Sequence, residues 1–338
     1  MSRPTDIASA EQLASEGNVA EAIARLSAIN RTQRDPAIET RLVALRRDAP
    51  KPAPNPPRRW PPRARKRFRV GDGPPEVRGA QLYLRDVQSG ILRHGSLLVR
   101  GLLSPARVTQ LVEHIDRAFD GYDAFARGTP ASETAPSFVP YEAPTIDETQ
   151  RTWIRNGGGV LAVESPSALF DVIEAFDDSG ISAIAREYLG EPPMILASKW
   201  TLRRIRPSEH TFDPDAGLDF HQDGSFMGTD IRTLNVWVAL SHCGLDAPGL
   251  DIVPRRLEHV VRTGSDGAGM DWTVGPSLAR QVGPIATPIF APGDALLFDH
   301  LMLHRTGLRP QMTADRYAIE AWFAAPSTYA DAQLAITY

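Results

Sequence analysis

Cysteine is nearly absent: the chain of 338 residues has one. A single thiol excludes a disulfide framework, a Cys-rich zinc site and an iron–sulfur cluster. No apolar run approaches the roughly 20 residues that a membrane-spanning helix needs. The first residues, MSRPTDIASAEQ, lack the apolar core of a signal peptide, so a cytoplasmic location is expected. An excess of one charge is missing too, with 37 basic against 41 acidic residues and a net charge of −4. Proline and glycine are plentiful instead, at 29 and 26 residues, which argues for a loop-rich fold containing β-structure. The length accommodates one large domain of about 200–250 residues plus something small.

The balanced charge hides an uneven distribution. Between Lys51 and Val70 lie eight basic residues, six prolines and no acid. Without those eight, 29 basic groups face 41 acidic ones, a net of −12 over the rest of the chain. This divides the sequence into a helical segment over 1–50, a basic proline-rich linker over 51–76 and a main domain over 77–338. In the first segment apolar residues recur at spacings of three and four: Ile7, Ala10, Leu13 and Ala14, then Val19, Ala22, Ile23 and Leu26, then Ile38, Leu42 and Leu45. Gly17 and Asn18 separate the first two runs. The residues Ala10, Leu13, Gly17, Glu21, Ala22 and Leu26 resemble part of a tetratricopeptide repeat. One repeat cannot bury its own apolar face. The segment therefore either lies on the main domain or docks a protein partner. The paired prolines of the linker favour an extended, solvated spacer. No folded nucleic-acid motif accompanies its charge, so nucleic acid is not an expected partner.

In the main domain, 94–100 reads as a strand. Ser104 then caps a helix that starts at Pro105 and runs to about Phe119. Further helices fit 166–176 and 180–189. From Ile195 onward short β-like runs prevail, over 196–205, 218–223, 234–240, 250–253, 286–290, 295–298 and 317–323. Helices first and strands later predict an α+β chain with a sandwich or barrel core.

Among the eight histidines, His94, His114, His210, His242, His259 and His300 read as surface or packed imidazoles. His221 differs, because it stands two residues before Asp223 on a predicted strand, where i and i+2 share a face. His304 follows 81 residues later, and Arg316 twelve after that. Two imidazoles and a carboxylate on one face of a metal leave the opposite positions open, which suits Fe(II) that must also take a co-substrate and O2. Arg316 can grip the far carboxylate of a dicarboxylate in bidentate fashion. His300 is the rival for the distal ligand. Lys199, Trp200 and Arg203 are candidates for the substrate side.

These motifs, in order, resemble the phytanoyl-CoA dioxygenase (PhyH) family of Fe(II)- and 2-oxoglutarate-dependent oxygenases. The resemblance rests on His221-Gln222-Asp223, on Leu234-Asn235-Val236-Trp237-Val238-Ala239-Leu240, on 248–254 with Glu258-His259, and on Phe290 to Phe298 before His304. Residues 96–119 are similar to the family's opening strand and helix. The family's asparagine before the glycine is Pro248 here, and its Gly-Ser before the histidine is Leu257-Glu258.

The resemblance implies a double-stranded β-helix (a cupin-like jelly-roll) with flanking helices. It implies that His221, Asp223 and His304 bind iron and that Arg316 pairs with 2-oxoglutarate. Thr306 would add a hydroxyl, and Trp237 and Gln222 would line the co-substrate. The implied reaction is hydroxylation of a small molecule, with succinate and CO2 as co-products. A carboxylate at position 223 favours hydroxylation over halogenation, which needs that position open. The competing hypothesis is an oxygenase fold without turnover, serving as a scaffold through its helical N-terminus and basic linker. Substrate and oligomeric state are not legible.

Overall fold

The computed structural model describes residues 3–209, 220–329 and 334–338. The chain starts with three helices, α1 (Arg3–Ser15), α2 (Val19–Thr32) and α3 (Pro36–Asp48). Asp35 caps α3 by accepting from the Ala37 amide, and Pro36 occupies its first turn. The apolar stripe read from the sequence is buried as a cluster of Ala10, Ala22, Ile23, Leu26, Ile38, Leu42 and Leu45. Phe170 from the main domain completes that cluster, so the three helices lie on the domain.

Residues 51–75 form neither helix nor strand, but they are not a free spacer as expected. Trp60 packs edge-on against Tyr188 at 5.4 Å. The Asn55 amide donates to Glu191 at 3.1 Å, and Arg67 pairs with Asp86 at 2.5 Å. The two aromatics and a few polar atoms strap it to the surface. The eight basic side chains of this stretch remain exposed.

The main domain opens with β1 (Glu76–Arg78), α4 (Leu84–His94) and β2 (Ser96–Arg100). His94 therefore ends a helix instead of starting a strand, and left-handed Gly95 makes the turn. Next come α5 (Pro105–Ala126), α6 (Ala131–Thr134), α7 (Glu148–Asn156), β3 (Gly159–Leu161), α8 (Pro166–Asp178) and α9 (Ile181–Leu189). Then follow β4 (Met194–Leu196), β5 (Thr201–Ile205), α10 (Gly224–Met227), β6 (Thr233–Ala239) and β7 (Gly249–Ile252). The chain closes with α11 (Pro276–Val282), β8 (Ala295–Phe298), β9 (His304–Gly307), β10 (Arg316–Ala324) and β11 (Ala335–Thr337).

Two sheets result. The larger is mixed, with β1 parallel to β2 and the order β1-β2-β8-β6-β10-β4-β11; β5 pairs with β10 and β3. The smaller pairs β7 with β9, with Ile252 opposite His304. Isolated bridges, His221 to His304 and Ile252 to Ala286, widen it on both sides.

Side-chain alternation explains the stacking. On β6, Leu234, Val236 and Val238 join the core beneath the helices, together with Leu297 of β8 and Ile319 of β10. Trp237 and Ala239 point the other way and meet Leu250, Ile252, Leu296 and Phe298. That second cluster draws from both sheets, so the space between them is the interior of a β-sandwich. Between β6 and β8 the turn at Gly293 has φ of +92°, and a Cβ there would fall 2.5 Å from the Leu103 carbonyl oxygen.

Candidate metal and co-substrate site

The open end of the sandwich holds a cavity of about 360 Å³. His221, Asp223 and His304 meet in its wall, with one ligand atom from each within 4.8 Å of the others. The Nε2 atoms of His221 and His304 stand 3.7 and 3.9 Å from Asp223 Oδ1. The main chains of the two histidines are tied by the bonds His221 N to His304 O, 2.8 Å, and His304 N to His221 O, 3.0 Å.

The local structure differs from the expected strand. Leu218 and Asp219, where that strand would start, lie outside the described residues. His221 makes a single bridge, and Asp223 already has the helical dihedrals φ −61° and ψ −28° that lead into α10. Strand alternation is therefore not what aligns His221 with Asp223. A helical turn rotates the carboxylate back toward the imidazole, while the Gly224 amide donates to the His300 carbonyl.

Each candidate ligand is oriented from behind. His304 Nδ1 lies 3.0 Å from the Met302 carbonyl, so that nitrogen carries the proton and Nε2 presents its lone pair to the cavity. Asn235 donates to Asp223 Oδ2 at 2.6 Å. Asp223 Oδ1 is buried and accepts no hydrogen bond among the described residues. Burial pushes the Asp223 carboxyl well above the usual range, against the pull of Lys199. Burial likewise lowers the His304 pKa. A buried carboxyl oxygen without a donor among the described residues, facing two imidazoles, fits a divalent cation. His300 is not part of the set, because its Nε2 lies 3.0 Å from the Thr229 carbonyl.

A second group of unsatisfied atoms lies deeper. Arg316 is fully buried at the start of β10, and its Nε and Nη1 have no hydrogen-bond partner among the described residues. Trp237 is buried with its Nε1–H unpaired, and Arg316 Cζ stands 5.9 Å from its ring. Burial lowers the Arg316 pKa to about 10. Three such N–H groups without an acceptor would be costly in a closed core, but they match an anion that can accept from a guanidinium fork. Thr306, on β9 opposite Leu250, lines the cavity between the metal ligands and this region.

Gln222 does not belong here, contrary to expectation. Its side chain is fully buried and does not line the cavity. It donates to the carbonyls of Leu301 and His259 and accepts from the Val261 amide. Pointing opposite to His221, it ties the loop over 259–261 to the segment before His304. Trp200 is also corrected, since it is a core residue whose Nε1 donates to the Trp322 carbonyl. Lys199 and Arg203 do reach the cavity. Asn235 was missed, although a lone amide between Leu234 and Val236 in a wholly buried strand was a visible signal.

A family model described as phytanoyl-CoA dioxygenase (PhyH) matches residues 91–309. Similar solved structures include EctD from S. alaskensis with 2-oxoglutarate and 5-hydroxyectoine, at 17% identity over 83% of this chain and 86% of that one, with a TM-score of 0.49. The carbocyclase SnoK from nogalamycin biosynthesis is 16% identical over 75% of this chain and 87% of its own, with a TM-score of 0.47. EvdO2 from Micromonospora carbonacea var. aurantiaca, complexed with 2-oxoglutarate, is 17% identical over 74% and 94%, with a TM-score of 0.44. No curated protein sequence matches the chain.

Proposed function

Because the chain belongs to the phytanoyl-CoA dioxygenase family of iron- and 2-oxoglutarate-dependent oxygenases, we propose that it hydroxylates a small molecule with Fe(II), 2-oxoglutarate and O2. The observation that carries this reading is the pairing of two unsatisfied sites, the cation-shaped triad and the anion-shaped pair Arg316 and Trp237. The two sheets read accordingly as a double-stranded β-helix with the site between them.

Fe(II) and 2-oxoglutarate together supply O2 activation, driven by oxidative decarboxylation to succinate and CO2. The protein's share is orientation and exclusion of water. Asn235 and the Met302 carbonyl hold Asp223 and His304 in their ligating poses. Arg316, with Trp237 and Thr306, would hold the distal carboxylate of the co-substrate. The carboxylate of Asp223 would fill the third protein position on the metal, which favours hydroxylation as the outcome. The scaffold alternative gains nothing from the N-terminal helices, whose apolar stripe is covered by their own hairpin and by Phe170.

Under anaerobic conditions, Fe(II) followed by 2-oxoglutarate should give a weak visible charge-transfer band. His304→Ala should abolish it. Failure of the wild-type chain to bind iron would reject the proposal.

A further inference from the structure

Lys199 stands in the cavity wall and makes no ion pair among the described residues. Its ammonium lies 4.7 Å from the ring centre of Phe226 and 5.7 Å from that of Trp322. Two rings fix the position of the cation without neutralising it. Arg203, by contrast, is paired with Glu320 at 2.8 Å.

The charges around the cavity do not balance. Among the described residues, Lys199, Arg203 and Glu320 face it with Asp223, and Arg316 stands behind Trp237. Three cations oppose two carboxylates. Fe(II) and doubly charged 2-oxoglutarate, on the proposed function, add nothing net. Among the described residues one positive charge is left over, and Lys199, on which Asp223 and Glu320 act without a salt bridge, is the cation that carries it.

The mouth of the same cavity carries large apolar side chains beside the polar Gln150 and Asn156. Trp153 on α7, Phe226 on α10 and Met270 are 60%, 36% and 40% exposed, and all three line it. Trp272 stacks edge-on between Phe226 and His221, at 5.2 and 5.4 Å. Large exposed apolar side chains gathered on one rim indicate that an apolar surface lies on them.

Building on the proposed function, we propose that the substrate is a monoanion with an apolar, ring-sized body. Its carboxylate is anchored by Lys199, and its body lies against Trp272, Phe226 and Trp153. Lys199 is thus a substrate-binding residue that sets specificity, separate from the groups that hold 2-oxoglutarate.

The full chain, loaded anaerobically with Fe(II) and 2-oxoglutarate, is titrated with benzoate, 3-phenylpropionate and indole-3-acetate and with their uncharged amides. Binding is read from tryptophan fluorescence. At least one acid should bind about tenfold or more tighter than its amide. In Lys199→Gln the preference should fall to about twofold or less, with 2-oxoglutarate affinity, read from the visible band, unchanged within about threefold. Equal binding of acid and amide by the wild-type chain overturns the proposal, as does the absence of saturable binding by all three acids. So does a loss of 2-oxoglutarate affinity in the variant as large as its loss for the acid, which would assign Lys199 to the co-substrate. The wild-type comparison needs no variant, so misfolding of Lys199→Gln leaves the test intact. Iron and 2-oxoglutarate binding are measured before any acid is added, so failure of the proposed function is seen separately.

Discussion

Gln222 and Arg316 are both fully buried, yet only one of them has its polar atoms paired. Gln222 spends its amide on three backbone groups. Arg316 leaves two nitrogens without a partner among the described residues, which on the proposed function the co-substrate would take up. The two residues should therefore fail differently. Arg316→Met should weaken 2-oxoglutarate by about 30-fold or more, since removing one member of a buried charged pair costs upward of about 2 kcal/mol. Iron binding should persist, and the charge-transfer band should saturate only at higher 2-oxoglutarate. Gln222→Leu should instead lower stability by about 1–3 kcal/mol, the cost of stranding buried polar groups. Its urea midpoint should drop, while 2-oxoglutarate affinity in the folded fraction stays near wild type. Equal loss of affinity in both variants would return Gln222 to the co-substrate. The triad and Arg316 stand out in the sequence because residue type and order constrain them together. The sequence could not separate Gln222 from a ligand, because hydrogen bonds to backbone carbonyls leave no trace in side-chain spacing.

Among the elements, α8 shows how an ordinary helical pattern can serve two cores. Its residues from Pro166 to Phe176 are all buried. Leu169, Val172, Ile173 and Phe176 pack beneath the main sheet, while Phe170 turns outward into the N-terminal cluster. A helix buried on both faces needs a cover on each, and α1–α3 provide the second one, meeting Phe170, Asp171 and Glu174. Phe170→Ala should cost about 3 kcal/mol or more. The loss should appear as lowered hydrogen-exchange protection in α1–α3, with β6 and β10 retaining theirs. Uniform loss across the chain would show that the two cores unfold as one. The periodic pattern revealed α8 because its apolar residues recur at helical spacing. It did not reveal α7, which has Ile154 as its one buried residue and leaves Trp153 on the surface. Of the expected strand over 218–223, Phe220 and His221 make β-bridges, residues 218 and 219 lie outside the described residues, and the Asp223 end departs for a related reason. Alternation over a few residues cannot be told from the entry of a short helix, and here Asp223 adopts the latter.

At the scale of the whole molecule, one carboxylate joins the N-terminal helices to the oxygenase domain. Asp171 of α8 receives Arg34 of the N-terminal segment, and His114 Nε2 of α5 stands 2.5 Å from it. Arg31 reinforces the contact through Glu174, and Phe170 lies beneath the Arg34 guanidinium at 4.7 Å. Burial alone would raise the Asp171 carboxyl, but the adjoining His114 and the hydrogen bond from Arg34 outweigh it and hold the pKa below the ordinary value. A depressed carboxylate pKa in the fold means that the unfolded chain takes up the proton first as pH falls. The contribution of Asp171 is therefore complete above the unfolded value of about 4 and fades as pH drops toward the lower folded value. Protection factors of α1–α3 amides, corrected for intrinsic exchange, should hold steady from neutral pH down to about 5 and decline below about 4. In Asp171→Asn the protection should be lower at neutral pH, and its further loss in acid should be smaller. An unchanged acid response in that variant would place the coupling elsewhere, with Glu174 and Arg31 the next pair to test. Loosening at this interface also bears on the site, because α8 packs under the sheet that carries Asn235 and Trp237. A chain lacking residues 1–49 should consequently lose stability as a whole, and the iron- and 2-oxoglutarate-dependent band should melt at a lower temperature than in the full chain. If the truncated protein keeps both its melting temperature and its band, the N-terminal helices are an appendage, and the second core on α8 has no bearing on the oxygenase domain.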